Sequence, residues 1–210
     1  MRAPAAPVAE TGGKCLIFER SDAFWKFPPE RFAIGERCVE IETQPHTDLW
    51  QRTYYGFRND NAPMLLVPVE EKYFSFWVRC DFDSKRRFDQ CGVCVYQDSD
   101  NWLKASIEYE NEEIQRLGSV VTNNGYSDWA TVDIPAQTRH MYYRLSRRES
   151  DFCVENSLDG VHYSQMRIAH LFAGAERVNL GVYACSPENS SFHARFSAIN
   201  LTDCRWLPHE

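Results

Sequence analysis

The runs Asp89-Gln90-Cys91-Gly92-Val93-Cys94-Val95-Tyr96 and Trp102-Leu103-Lys104-Ala105-Ser106-Ile107-Glu108, on either side of Asp98-Ser99-Asp100-Asn101, decide the fold. Two alternating segments flanking a cluster of turn formers describe a β-hairpin. With residues 98–101 in the turn, Val95 faces Leu103, Val93 faces Ala105 and Cys91 faces Ile107. That face is apolar. On the other face Tyr96 meets Trp102, Cys94 meets Lys104, Gly92 meets Ser106 and Gln90 meets Glu108. Ordinary solvent-facing sheet would carry long charged chains and threonines. Here small residues lie between an aromatic pair and a Gln/Glu pair, so the second face reads as a groove.

The same two-residue period recurs outward from this hairpin, at 15–19, 37–43, 64–69, 73–81 and 114–122. It continues at 141–147, 152–157, 163–169, 178–184 and 192–201. Turn chemistry at 59–63, 123–125, 159–160 and 186–187 separates these segments. The hairpin that turns at Glu149-Ser150 puts Tyr143 and Leu145 on a face with Phe152 and Val154. It also sets Arg144 opposite Glu155 as a cross-strand ion pair. Residues 169–176 read as a short helical turn. About a dozen strands and no amphipathic helix predict an all-β sandwich or barrel. The pattern predicts one domain over residues 15–207, behind a loose Pro-, Ala- and Gly-rich tail at 1–14.

Composition narrows the function classes. The 210 residues include 6 Trp, 10 Tyr and 13 Phe, far more aromatic character than a disordered coil carries. No apolar stretch approaches the roughly 20 residues of a membrane span. Thirty acidic residues against 23 basic ones disfavour a phosphate-tracking nucleic-acid binder. The N-terminal residues lack the apolar centre of a secretory signal, which predicts a cytoplasmic protein with reduced cysteines. The sequons at Asn189 and Asn200 then carry no glycosylation meaning. Most of the eight cysteines sit singly in apolar runs. Cys91 and Cys94 point to opposite faces of one strand and make a poor chelate. No metal and no cofactor is expected.

Catalytic patterns are sparse. There is no Gly-x-Ser-x-Gly elbow, no Gly-rich phosphate loop and no metal-binding histidine spacing. Glu108, Glu110 and Glu112 alternate in the general manner of β-sandwich glucanase carboxylates, but the Asp that those carry between two Glu is absent, and the two later residues read as solvated turn residues. The sequence therefore names no catalytic residue. Aromatic residues interleaved with fixed polar groups suit a sugar ring instead, which has an apolar face and a hydroxyl rim. Trp50, Trp102 and Trp129 fall beside Asp48, Gln90, Lys104, Glu108 and Asp128 in this way.

Over about residues 25–201 the chain resembles a family of small proteins assigned a domain of unknown function, which includes yeast's regulation-of-enolase protein. The motifs that carry the likeness are Thr47-Asp48-Leu49-Trp50, Tyr55-Gly56-Phe57, Phe88-Asp89-Gln90-Cys91-Gly92 and the run from Asn101 to Glu108. Ser127-Asp128-Trp129, Ser157-Leu158-Asp159-Gly160, Met166-Arg167-Ile168-Ala169 and Gly181-Val182-Tyr183-Ala184-Cys185-Ser186-Pro187 follow in order. Departures occur at Trp25, followed by Lys26-Phe27-Pro28 where the family has Asn-Glu, and at Leu49 and Ser106 for Phe and Gly. The resemblance implies a jelly-roll antiparallel sandwich of the concanavalin A-like lectin/glucanase architecture, with a concave sheet. It singles out Asp48, Gln90, Trp102, Lys104, Glu108, Asp128, Trp129 and Arg167.

With Trp50 added, these residues form the expected ligand site. Trp102 is assigned to stack on the ligand, Glu108, Gln90 and Asp48 to bond hydroxyls, and Lys104 to meet an acidic group or neutralise Glu108. The expected function is non-catalytic binding of a carbohydrate or similar polyhydroxylated ligand. The alternatives are a regulatory module that docks on a metabolic enzyme, and a glycoside-acting enzyme built on Glu108.

Overall fold

Sixteen strands form among residues 16–207, the part of the chain that the computed structural model describes. The first five are short: β1 (Phe24–Lys26), β2 (Arg31–Ile34), β3 (Cys38–Glu42), β4 (Leu49–Gln51) and β5 (Arg58–Asp60). Longer strands follow as β6 (Met64–Val69), β7 (Tyr73–Phe82), β8 (Gln90–Asp98), β9 (Asn101–Tyr109), β10 (Ile114–Asn123) and β11 (Tyr126–Pro135). The last are β12 (His140–Arg148), β13 (Asp151–Ser157), β14 (Ser164–His170), β15 (Val178–Cys185) and β16 (His193–Asp203). The tail expected at residues 1–14 lies outside the described residues.

Two seven-stranded antiparallel sheets result, ordered β1-β6-β15-β8-β9-β10-β11 and β14-β13-β12-β7-β16-β3-β2. They face each other across one apolar core, to which Val93, Leu103 and Val182 of the first sheet and Ile41, Phe76 and Phe196 of the second belong. This is the jelly-roll sandwich that the resemblance implied. The β8–β9 register is the one read from the sequence, from Gln90 opposite Glu108 to Tyr96 opposite Trp102. Arg144 opposes Glu155 and pairs with it through both guanidinium arms. The seven described cysteines are free, with Cys91 in the core between the sheets and Cys94 on the opposite face of β8.

Four local readings differ from the structure. Residues 15–19 were expected as a strand. Leu16–Glu19 instead form a 3-10 turn, with Phe18 set edge-on against Phe76 at 6.5 Å. Asn59 and Asp60, expected within the turn at 59–63, instead belong with Arg58 to a strand that pairs with β4 in a two-stranded ribbon. β11 was not expected at all. It is an edge strand paired only with β10, and its alternate residues Tyr126, Asp128, Ala130 and Val132 are exposed, which hides the apolar period. The helical turn expected at 169–176 shortens to Phe172–Gly174.

Polar burial in the described region is mostly satisfied. Arg147 is fully buried with no described carboxylate within ion-pair distance, and it donates to the carbonyls of Glu71, Glu149, Gly174 and Glu176. Among the described residues no group of three His, Cys, Asp or Glu side chains converges as a metal site. No described helix is long and apolar enough to cross a membrane.

Candidate functional site

The face of the first sheet turned away from the core is also buried. A second apolar cluster lies there, made of Met64, Leu66, Cys94, Tyr96, Trp102, Val120 and Tyr183 beneath Leu49 and Trp50. The β4–β5 ribbon covers it. Sheet and ribbon are stitched by polar bonds: Lys104 Nζ donates to the Leu49 carbonyl at 2.8 Å, and the Gln51 N–H donates to Ser127 Oγ at 3.0 Å. Arg52 reaches the Gly125 carbonyl at 2.7 Å, and Arg58 reaches Asp100 at 2.8 Å. At Gly92 the neighbouring strand comes so close that a Cβ would lie 1.9 Å from the Ala105 carbonyl oxygen. Only glycine fits there, which keeps this part of the floor low.

Where the ribbon stops short, a cavity of about 430 Å³ remains. Its walls are aromatic. Trp50 meets Trp129 edge-on at 6.1 Å and Tyr55 at 5.6 Å, and Tyr55 stacks on Phe57 at 5.5 Å. Its polar lining comes from Asp48, Asn59, Gln90, Lys104, Glu108 and Glu188. The loop carrying Tyr55 is held in unusual backbone geometry: Arg52, Tyr54 and Gly56 all have positive φ, at 54°, 62° and 77°. Residues held in this region without being glycine store strain, which commonly marks a functional segment.

The floor is a chain of assigned hydrogen bonds. Gln90 Oε1 accepts from Lys104 Nζ at 2.8 Å and from the Tyr183 hydroxyl at 3.0 Å. Its amide therefore points the other way, where Nε2 donates to the Phe88 carbonyl and to Glu108 Oε2, both at 3.2 Å. Lys104 is buried yet has no carboxylate within ion-pair distance, and its ammonium lies 5.6 Å from the ring centres of both Trp102 and Tyr183. Glu108 Oε1 is sealed from solvent and has no partner. Burial, opposed by Lys104 and aided by Asp48, pushes the Glu108 carboxyl up to about 7. Asp48 differs: Oδ1 accepts from the Leu49 N–H at 2.7 Å and Oδ2 from Asn59 Nδ2 at 3.2 Å.

Six of the nine predicted site residues (Asp48, Trp50, Gln90, Lys104, Glu108 and Trp129) line this one cavity. Three do not. Trp102 is fully buried under the ribbon, with its indole N–H on the Ser99 carbonyl at 3.2 Å, so it cannot stack on a ligand. It is core, on the second cluster. Asp128 and Arg167 pair with each other at 2.6 Å, joining the edge strand β11 of one sheet to the edge strand β14 of the other. Tyr55, Phe57, Asn59, Phe88 and Glu188 line the cavity without having been predicted. Tyr55 and Phe57 stood in a recognised motif, but their ring placement depends on the strained loop, which periodicity does not reveal.

The fold and this covered outer face define a β-sandwich protein with a single-sheet cavity, and comparison places it among known proteins. The chain matches, over residues 25–204, the family described as protein of unknown function (DUF1349), and it belongs to that family. It is 31% identical over 184 residues to regulation of enolase protein 1 of Saccharomyces cerevisiae, covering 88% of this chain and 91% of that protein. A crystal structure of a functionally unknown protein from Saccharomyces cerevisiae matches with TM-score 0.80 and 30% identity, over 87% of this chain and 97% of that one. The GH43 protein BlXynB (K247S mutant) of Bacillus licheniformis matches with TM-score 0.69 and 15% identity, over 95% of this chain and 40% of that one. The last likeness shows the fold alone.

Proposed function

We propose that this protein binds a carbohydrate or similar polyhydroxylated ligand in the cavity between the β4–β5 ribbon and the first sheet. The observation that carries the reading is the convergence of aromatic walls from Trp50, Tyr55, Phe57 and Trp129 on a floor of fixed polar groups. Aromatic faces take the apolar side of a sugar ring, while Asp48, Asn59, Gln90 and Glu108 meet its hydroxyls. Bland core packing does not account for this, because it would leave neither a cavity nor an unpartnered carboxyl oxygen at its edge. A cytoplasmic location is part of the proposal and accords with the seven free cysteines.

Xylobiose, a neutral disaccharide with two small rings, serves as a first probe. Titration of the labelled protein with xylobiose and a panel of neutral disaccharides, followed by NMR, should shift resonances around Trp50 and Trp129. Trp129→Ala should weaken that binding at least tenfold while leaving the fold intact. If no sugar in the panel shifts these resonances, the reading fails. Appearance of xylose during the titration would favour a glycoside-acting enzyme instead.

A second reading rests on another surface. Phe24, Phe32 and Ile34, on edge strands β1 and β2, are each more than 40% exposed. The name of the yeast relative supports a regulatory contact with a metabolic enzyme through such a patch. Phe32→Glu would abolish that contact and leave sugar binding unchanged.

A further inference from the structure

We propose that Glu108 is the proton-bearing group of the cavity, and that it gives its O–H to an acceptor oxygen of a neutral ligand. The inference rests on the binding reading above and specifies what the ligand must bring.

The bond pattern fixes the roles of the two carboxyl oxygens. Gln90 cannot turn its amide round, because its oxygen already serves Lys104 and Tyr183. Glu108 Oε2 must therefore accept from Gln90 Nε2. Oε1 has neither solvent nor a donor. An ionised carboxylate would leave one charge-bearing oxygen sealed with nothing to meet it, which is among the costliest arrangements in a protein. A neutral acid leaves only a carbonyl there. The hydroxyl is then Oε2, which can accept from Gln90 and still donate its own proton toward the cavity.

The surrounding charges agree. Lys104 lies on the same strand, Arg116 on β10, Glu110 at the end of β9, Asp48 before β4 and Glu188 after β15. Arg116 lies within ion-pair distance of Glu110 at 3.2 Å without a hydrogen bond from its Nε, and Lys104 donates to neutral oxygens. Neither cation pairs with Glu108. Tyr183 and Cys185 on β15 are held neutral by burial. Burial therefore prevails, and the carboxyl titrates near 7. Carboxylates outnumber ammonium groups around the cavity, so an anionic ligand is disfavoured. The class left is a neutral polyhydroxylated molecule with a ring, glycosidic or hydroxyl oxygen placed to accept from Glu108.

The test pairs a titration of the group with a titration of the ligand. In protein carrying 13C-labelled glutamate, the carboxyl resonance missing from Glu108→Gln identifies Glu108. Its midpoint is expected within about one unit of 7, and a midpoint near 4.5, the ordinary glutamate value, overturns the inference whatever binds. Xylobiose affinity for the wild type should fall about 30-fold between pH 5.5 and pH 8.5, following loss of one required proton. For Glu108→Gln it should be weak and flat over that range. Binding by the wild type that is unchanged from pH 5.5 to pH 8.5 also overturns the inference, leaving the binding reading in place. Failure of every neutral sugar to bind at any pH sinks the binding reading and this inference with it, even if the carboxyl titrates near 7.

Discussion

The two faces of the β8–β9 hairpin are both buried, and they are buried for different ends. The inner face, with Cys91, Val93, Val95, Leu103, Ala105 and Ile107, packs against a whole second sheet and contains no polar side chain. The outer face, with Gln90, Cys94, Tyr96, Trp102, Lys104 and Glu108, is covered by a ribbon of two three-residue strands except over the cavity that Gln90, Lys104 and Glu108 line. Its interior holds a cation without a counter-charge and a carboxyl oxygen without a partner. Low exposure is common to both faces. What separates them is that the outer face leaves a cavity lined by polar side chains while the inner face leaves none, and the proposed binding rests on that difference.

The largest expected effect belongs to the inner face. Phe76→Ala leaves a void between two full sheets and should cost about 4 kcal/mol, read as a lower urea midpoint with unchanged slope. Sugar affinity of the remaining folded protein should stay within twofold. If Phe76→Ala lost affinity as strongly as Trp129→Ala, the two faces would not be independent.

On the outer face, Lys104→Met tests the buried cation. It leaves the Leu49 carbonyl and Gln90 Oε1 without their donor, at a cost of about 2 kcal/mol. It also removes the charge that holds the Glu108 carboxyl down, so that carboxyl should titrate higher than in the wild type. A cost without that rise would show that Lys104 acts on the ribbon alone.

How much of this was legible in the sequence follows the same division. Alternation revealed both faces of β8–β9 and their register, because a slip of one residue would have put Lys104 and Glu108 into the inter-sheet core. It could not tell a covered outer face from an open one. Trp102 was assigned to ligand stacking because it shares a face with Lys104, yet the ribbon closes over it. That ribbon was illegible, since Asn59-Asp60-Asn61 reads as a turn and β4 is only three residues long. Asp128 and Arg167 were grouped with the site by motif, while strand order separates them from it: each lies on the edge strand of a different sheet. Edge pairing is set by topology, which local periodicity does not encode.

Glu108 also makes the outer face sensitive to pH. Its carboxyl is raised to about 7 in the folded chain, against an ordinary value of 4.5. Between these values the folded state holds more protons than the unfolded one. Stability therefore falls as pH rises from 4.5 to 7 and then levels off. The full shift sets an upper bound of about 3 kcal/mol, and access of water to the cavity reduces the expected loss to about 2 kcal/mol. Glu108→Gln should abolish this fall, making the variant more stable than the wild type at pH 8.5 but not at pH 5. Urea midpoints at the two pH values decide it. Equal slopes with pH in both proteins would mean that Glu108 is ionised without cost, and that the outer face is as well satisfied as the inner one.

The smallest effect is expected where neither face is involved. Asp128 and Arg167 join the two sheets at their edges, which invites the view that they latch the sandwich shut. The magnitudes argue otherwise. The Asp128 side chain is 74% exposed, so water screens the pair and offsets most of its attraction. The core between the sheets does not depend on it, since Val121 and Ile134 already carry the apolar contact on that side. Asp128→Asn should cost less than about 1 kcal/mol in low salt and almost nothing at 0.5 M, with xylobiose affinity unchanged. A loss above about 2 kcal/mol that persists in high salt would show that the edges govern the separation of the sheets. The boundary between core and site would then depend on that edge as well as on the ribbon.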